Sequence, residues 1–152
     1  MAITIEPGQQ CPDDVERILR ELPEWFGLEE SLLGYVESAR TLPTTVAREG
    51  DEIIGVCVVR THNPRAAEIE VLAVARQRHR AGVGRSLLER VTDDLAGDGV
   101  ELLQVKTFGP SGASTEYEQT RAFYEAVGFV PLEERLDIWG PENPCLIMVR
   151  TI

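Results

Sequence analysis

The spacing of apolar and polar positions divides the chain into helices and strands. PDDVERILREL has apolar residues at helical spacing, and LEESLLGYVESA predicts a second, shorter helix. The apolar positions of the first helix are Val15, Ile18, Leu19 and Leu22. We expect Asp13 to cap this helix, with Glu16 as the partner of a capping box. Pro23 ends it, and LPEWFG forms a turn.

Strands dominate the middle of the chain. TTVAR and IIGVCVVR are joined by EGDE, which predicts a hairpin, and AEIEVLAVA follows after the turn THNPRA. A helical face of Leu87, Leu88, Val91 and Leu95 comes next and ends at GDG. LLQVKTF predicts another strand, GPSGASTEYE a loop, and TRAFYEAV a helix that Gly128 closes. FVPLEERLDIW and CLIMVRTI predict the last two strands.

The resulting order is two helices, three strands, a helix, a strand, a helix and two strands. A strand meander followed by strand–helix units predicts an α/β (α+β) fold with a mixed sheet. The chain has 152 residues and no repeat or linker, so we expect a single domain over residues 1–152.

Composition and cysteine usage indicate which broad class of protein this chain belongs to. The chain is 43% hydrophobic and 27% charged, which is ordinary for a globular protein. Its three cysteines form no CxxC pair, so we expect no metal site and no disulfide framework, and Cys57 reads as a buried apolar residue. MAITIEPGQQ lacks the pattern of a signal peptide, and the apolar runs are too short to cross a bilayer. We therefore expect a cytoplasmic protein without a membrane partner.

Charge is distributed unevenly along the chain. The net charge of -11 makes non-specific binding of nucleic acid unfavourable and weakly favours a cationic partner. Against this background, VARQRHRAGVGRSLLERV at 74–91 contains five arginines and a histidine around two glycines. Gly82 and Gly84 fall where a helix begins, and unpaired N–H groups there attract anions that glycine lets approach closely. Arg80 and Arg85 add positive charge, so the stretch predicts a phosphate or pyrophosphate site.

The two glycines alone do not decide which phosphate ligand binds. A P-loop requires a lysine that this stretch lacks, and a Rossmann fingerprint requires a third glycine where Leu87 stands. A loop with a glycine pair and solvated arginines is an equally good interpretation of this motif.

Two motifs together favour a phosphate site over a solvated loop. His79-Arg80-Ala81-Gly82-Val83-Gly84, between LAVA and RSLLE, resembles the Q/R-x-x-G-x-G/A motif of the GNAT family, the Gcn5-related N-acetyltransferases. LLQVKTF followed by TRAFYEAVGF resembles the family's strand, tyrosine-bearing helix and Gly-Phe. The resemblance covers residues 44–150. It departs from the family at His79, where Gln or Arg is usual, and at Thr120, where many members have asparagine.

The resemblance implies a mostly antiparallel central sheet flanked by helices, and acetyl-CoA as co-substrate. In this family the strand before the glycine motif splays from its neighbour, which frees main-chain groups to bind pantetheine and to polarise the thioester carbonyl. The residues thereby expected to bind the cofactor are Leu72, Val74, His79, Arg80, Ala81, Gly82, Val83, Gly84, Arg85, Ser86 and Thr120.

Acetyl transfer to an amine also needs a base and an acid. We expect Glu68 to be the base, because strand alternation places Glu68, Glu70, Leu72 and Val74 on one side and neighbouring carboxylates raise a pKa. It also matches the glutamate of an Ala-Glu-Ile segment in the histone-acetyltransferase branch. The alternatives are a structural role, binding of a cationic substrate, or a base that acts through water.

Tyr124 matches the tyrosine of the family motif and is the candidate acid for the departing thiolate. The alternative is that Tyr124 belongs to a core stripe with Phe123 and Val127.

The acceptor is expected near the N-terminal helices. Trp25 and Phe26 could enclose an ammonium group by cation–π contact, or close the core at a turn, and Glu70 could bind the substrate. His62 and the segment WGPENPC could line the same cleft, although both are typical of turns.

The reaction expected is direct attack, in a ternary complex, by a primary amine of a small molecule or peptide. The alternatives are a non-catalytic acyl-CoA-binding regulatory module and a Rossmann-type nucleotide-binding protein. A homodimer through the C-terminal strands is common in families of this kind.

Overall fold

The computed structural model describes residues 2–152 and contains one seven-stranded sheet with four α-helices. The strands are Ile3–Gln9 (β1), Thr44–Glu49 (β2), Glu52–Asn63 (β3), Ala66–Val74 (β4), Leu102–Phe108 (β5), Val130–Arg135 (β6) and Cys145–Thr151 (β7). The helices are Pro12–Arg20 (α1), Glu29–Ala39 (α2), Val83–Gly97 (α3) and Thr115–Ala126 (α4). Within the described residues, no helix is long and apolar enough to cross a membrane.

The sheet is mixed and mostly antiparallel, which confirms the predicted fold class. Its strand order is β1-β2-β3-β4-β5-β7-β6, and only the central pair β4–β5 is parallel. A helix, α3, connects these two strands, as a parallel pair requires. The last strand, β7, lies between β5 and β6.

Helices cover both faces of the sheet. On one face, α1 and α2 pack on apolar side chains of β2, β3 and β4, with Ile18 and Leu19 fully buried. On the other face, α3 and α4 bury Leu87, Leu88 and Tyr124 in a core with side chains of β2, β3, β4, β5 and β7. Cys57 is fully buried in the second of these cores, which confirms its predicted apolar role.

The parallel pair opens halfway along. Pairing between β4 and β5 runs from Ala66–Leu102 to Ile69–Val105 and then stops, although the strands continue to Val74 and Phe108. The two strands therefore diverge at their carboxyl ends, as the resemblance implies. The backbone edge of β4 that faces β5 has no strand partner beyond Ile69.

A β-bulge in β4 changes which side chains share a face. Val58 pairs with Val71 and Val59 with Ile69, so Glu70 has no partner on β3. The alternation reverses at this point, because Ile69 packs in the core beneath α3 whereas Val71 packs in the core beneath α1 and α2.

The prediction that Glu68, Glu70, Leu72 and Val74 lie on one side is therefore wrong. Leu72 and Val74 pack on the α3 side, whereas Glu70 contacts Ser38 of α2 on the opposite side. A simple period of two cannot anticipate the extra residue of a bulge.

Several predicted element ends are corrected. The first helix begins at Pro12 after Cys11, so Asp13 is not the cap and Glu16 completes no capping box. Pro12 occupies the first helical position, where proline is common because its missing N–H is not needed there. Asp13 lies in the first turn, where its negative charge interacts favourably with the helix dipole.

Three further differences concern β1, the start of α4 and the end of β6. The edge strand β1 was not predicted, because none of its residues is fully buried and the apolar signal is correspondingly weak. Helix α4 begins at Thr115, inside the predicted loop, because the Ser114 hydroxyl accepts a hydrogen bond from the Tyr117 N–H. Strand β6 ends at Arg135, before the predicted end.

Substitution of Gly55 tests how closely α3 packs on the sheet. A Cβ atom on Gly55 of β3 would lie 3.0 Å from Leu87 Cδ1 and 3.2 Å from Val83 Cγ1, both on buried side chains. We expect Gly55→Ala to lower the free energy of unfolding by about 1–3 kcal/mol, because the rigid core has no room for the methyl group. Urea denaturation measures this change.

The matched control is Gly34→Ala in α2. A Cβ atom there meets nothing within 4 Å, so the substitution should raise the free energy of unfolding by about 0.5–1 kcal/mol through helix propensity. Equal stability of the two variants would contradict the close packing of α3 on β3.

Candidate functional site

A cleft of about 440 Å³ opens where β4 and β5 diverge, and it extends to the start of α3 and to α4. Most of the residues expected to bind cofactor or acceptor line it. They are Trp25, Phe26, Glu70, Leu72, Val74, His79, Arg80, Gly82, Val83, Gly84, Arg85, Thr120 and Tyr124. Ala81 and Ser86 are exposed beside the cleft but do not line it. Glu68 lies outside it, in an adjoining cavity.

The N-terminus of α3 forms one end of the cleft. Its capping residue Gly82 has a φ of 80°, which is the left-handed region, and no side chain caps the helix. The first turn contains no acidic residue, and a Cβ atom on Gly82 would meet nothing within 4 Å. The N–H groups of this first turn therefore face open space with the positive end of the helix dipole behind them.

Two arginines add unpaired positive charge at this helix end. Arg80 and Arg85 form no ion pair within the described part of the chain, whereas nearby Arg78 is paired with Glu49. Arg80 also adopts a φ of 64°, which is rare for a residue with a side chain. A chain with a net charge of -11 thus places two free cations beside an uncapped helix terminus, which is a setting suited to a phosphate group.

Tyr124 combines a buried ring with an available hydroxyl. Its ring packs edge-to-face on Phe123 and Phe129, at centroid distances of 5.3 and 5.4 Å. The residue is 5% exposed and lines the cleft, and among residues 2–152 its hydroxyl has no hydrogen-bond partner. Burial raises the pKa of Tyr124 well above its usual range, with a smaller contribution from Cys57, so the hydroxyl keeps its proton. The core interpretation and the functional one are compatible for this residue.

Glu68 is held in a second cavity of about 190 Å³ beside the cleft. Its carboxylate receives Lys106 Nζ at 3.1 Å, Gln104 Nε2 at 3.2 Å and His62 Nε2 at 2.7 Å. These contacts fix the position of the carboxylate, which is 4% exposed. Any role of Glu68 in proton transfer must therefore act from this second cavity.

Glu70 lines both the cleft and the second cavity, because it occupies the bulge of β4. Arg60 Nε donates to its Oε2 at 3.0 Å, and Ser38 Oγ donates to its Oε1 at 3.3 Å. The two glutamates that the sequence singled out thus lie on the same face, each paired with a different cation.

The loop between α1 and α2 bridges the cleft to α4. Trp25 Nε1 donates to Thr120 Oγ1 at 3.0 Å, and Thr120 donates to the Glu116 carbonyl. The Trp25 ring also contacts His79 edge-to-face, with centroids 5.7 Å apart. His79 Nε2 in turn lies 2.7 Å from the Val74 carbonyl oxygen. The Thr120 hydroxyl therefore donates to one protein group and accepts from another, and it keeps one lone pair.

Phe26 packs edge-to-face against Tyr35 at 6.0 Å, at the border between the cleft and the α1–α2 core. Both aromatic residues of LPEWFG thus pack within the protein and line the cleft at the same time. Their proposed contact with an acceptor stays a prediction.

Arg60 and Lys106 both line the second cavity, and no pattern identified in the sequence had indicated a role for either residue. Alternation in LLQVKTF could have revealed Lys106, because Leu103 and Val105 are buried and the intervening polar positions face the other side. His62 and Trp139, named only as turn residues that could line a cleft, both line this cavity.

Comparison with known proteins places this geometry in a family. The family model described as Acetyltransferase (GNAT) domain matches residues 40–131. The uncharacterized N-acetyltransferase YsnE of Bacillus subtilis (strain 168) is 26% identical over 106 residues, which cover 70% of this chain and 67% of the relative.

Solved structures share the fold over almost the whole chain. A GNAT-family acetyltransferase from Desulfovibrio desulfuricans has a TM-score of 0.84 and 22% identity, covering 99% of each chain. A GNAT-family acetyltransferase from Elizabethkingia anophelis, solved with acetyl-CoA bound, has a TM-score of 0.73 and 22% identity, covering 99% of this chain and 98% of the other. The match of the family model over residues 40–131, on a sheet and cleft of this form, shows that the chain belongs to the GNAT family of acetyltransferases.

Proposed function

We propose that the protein is an N-acetyltransferase that transfers the acetyl group of acetyl-CoA directly to a primary amine of a small molecule or peptide. Membership of the family indicates acyltransferase activity. The observation that carries the finer proposal is one continuous cleft that joins the uncapped N-terminus of α3 to the free hydroxyl of Tyr124.

The phosphates of the cofactor are assigned to the first turn of α3. Val83, Gly84 and Arg85 supply free backbone N–H groups, and Arg80 and Arg85 supply charge. Ala81 and Ser86 flank this turn and are assigned to its outer rim. The absence of a Cβ atom on Gly82 keeps the approach open.

The pantetheine arm is assigned to the unpaired edge of β4 at Leu72 and Val74. Beyond Ile69 this edge has lost its strand partner, so its main-chain groups are available to an extended ligand. His79 anchors the end of the strand through the Val74 carbonyl. Thr120 Oγ1 accepts one hydrogen bond, from Trp25, and keeps a second lone pair, through which it is assigned to contact the cofactor.

In the proposed reaction the amine nitrogen attacks the thioester carbonyl, so that a C–N bond forms and the C–S bond breaks. Backbone N–H groups of the β4 edge stabilise the oxyanion, and Tyr124 transfers its proton to the departing sulfur. Tyr124 then takes up a proton from solvent, and Glu68 releases the amine proton to solvent, which restores the enzyme. We assign Glu68 as the acceptor of the amine proton. Because it lies in the second cavity, the proton reaches it through water between the two cavities, past Glu70.

The first experiment is thermal unfolding with acetyl-CoA, CoA, NAD and ATP in parallel. A ligand that binds only the folded protein raises its stability, so acetyl-CoA and CoA should raise the Tm and NAD should not. Release of free thiol in the presence of amines then separates an enzyme from a non-catalytic acyl-CoA-binding module. No shift with either CoA species would overturn the proposal.

Substitutions of Gly82 test the phosphate assignment. Asp and Asn both tolerate the left-handed conformation and have nearly the same size, but only Asp adds negative charge. We expect Gly82→Asp to weaken CoA binding at least tenfold more than Gly82→Asn, with similar Tm values for the two variants without ligand. Calorimetric titration with CoA measures the difference, and equal affinities would place the phosphates elsewhere.

Substitution of Tyr124 tests the acid. Tyr124→Phe removes one hydroxyl that has no protein partner, so the fold and the affinity for acetyl-CoA should change little. We expect the rate of acetyl transfer to fall about 100-fold, the lower range for loss of a general acid. Steady-state thiol release gives the rate and calorimetry the affinity. Unchanged turnover would leave Tyr124 as a core residue alone.

A further inference from the structure

The second cavity is polar and belongs to the acceptor side of the molecule. It shares Glu70, Lys106, Tyr35 and Trp139 with the cleft, so a bound molecule can extend from one into the other. Its charged residues are two glutamates, an arginine and a lysine, together with His62. What such a cavity can bind depends on which of these groups still have free hydrogen-bonding capacity.

The two carboxylates are already occupied. Glu68 Oε1 accepts from His62, Gln104 and Lys106, and its Oε2 receives Lys106. Glu70 Oε2 accepts from Arg60 Nε, and its Oε1 accepts from Arg60 and Ser38. Every carboxylate oxygen of the two glutamates therefore already accepts at least one donor, which leaves little capacity to hold a further cationic ligand.

The donors, in contrast, are in surplus. Within the part of the chain that the structure describes, Arg60 uses Nε and Nη2 and has no partner at Nη1. Lys106 Nζ contacts only Glu68 among these residues, although it carries three protons. The Tyr35 hydroxyl and the Trp139 indole N–H have no partner within residues 2–152. Arg60 and Lys106 keep 41% and 32% of their side-chain surface exposed, so a ligand can reach both.

We propose that the acceptor is a free amino acid, whose carboxylate binds Arg60 and Lys106 in the second cavity while its amine faces the cleft. This inference rests on the proposed function and names the substrate class of that site. A planar carboxylate fits the guanidinium and ammonium donors that the glutamates leave unused. The two cavities meet at Glu70 and Lys106, which suits a short separation between amine and carboxylate.

The net charge of -11 weakly favours a cationic acceptor, and an amino acid acceptor differs from that expectation. Net charge describes the whole surface, whereas the second cavity contains as many fixed cations as carboxylates. An ammonium group without a carboxylate would lie against Arg60 and Lys106, and it would compete with them for carboxylates that they already pair with, which is unfavourable.

The test compares acceptors that differ only in the carboxylate. Proteinogenic amino acids, β-alanine and 4-aminobutyrate are assayed beside the carboxamide of each and beside spermidine, by thiol release at saturating acetyl-CoA. For the preferred amino acid we expect kcat/KM at least tenfold above that of its carboxamide, with the difference mainly in KM.

Arg60→Gln provides the matched variant, and Arg65→Gln provides the control. Among residues 2–152, exposed Arg65 forms its one ion pair with exposed Glu101, and neither residue lines either cavity. Arg60→Gln should raise the KM of the amino acid about tenfold and leave that of the carboxamide nearly unchanged. It also frees Glu70, so use of spermidine should improve. Arg65→Gln should change none of these values.

A second readout does not depend on turnover. In CoA-saturated protein, the preferred amino acid should raise the Tm more than its carboxamide, and Arg60→Gln should abolish that difference. Carboxamides or spermidine used as well as amino acids, or no amino acid stabilising the CoA-bound protein, would overturn the inference. Failure of acetyl-CoA itself to raise the Tm would instead contradict the proposed function.

Discussion

The end of hydrogen bonding between β4 and β5 after Ile69–Val105 is the constraint on which the rest of the site depends. A parallel pair needs a crossover helix, and here that helix, α3, begins at Val83, at one end of the cleft that the divergence opens. The divergence leaves main-chain groups of β4 unpaired, and α3 contributes the unpaired N–H groups of its first turn. The cleft is thus lined by backbone groups of β4 on one side and of α3 on another, and side chains line the rest of it.

Because of the bulge at Glu70, the residues before and after it on β4 face different regions of the molecule. On the α3 side, Leu72 and Val74 continue toward the helix terminus that is suited to phosphate. On the other side, Glu68 and Glu70 are directed to a polar cavity with Arg60 and Lys106. One strand therefore borders both the region proposed for the cofactor and the region proposed for the acceptor, and Glu70 lies where the two regions meet.

Much of this arrangement follows from short-range patterns in the sequence. The glycines at 82 and 84, between an apolar strand and a helix, are sufficient to predict an anion site, and Tyr124 is found through its helix and the following Gly-Phe. The bulge could not be predicted, because alternation in AEIEVLAVA looks regular and the extra residue is set by pairing with β3. Arg60 and Lys106 were missed since their partners are brought close only by the sheet, and a whole-chain net charge conceals a local surplus of donors.

Hydrogen–deuterium exchange with and without acetyl-CoA tests most directly whether backbone groups of β4 and α3 form the cofactor site. The account predicts slower exchange on binding for amides of residues 71–74 and 83–86, and little change at the distant β1 and β6 edges. Protection that leaves both of these segments unchanged, in protein shown to bind acetyl-CoA, would contradict the assignment of the diverging strands and the uncapped helix as the cofactor site.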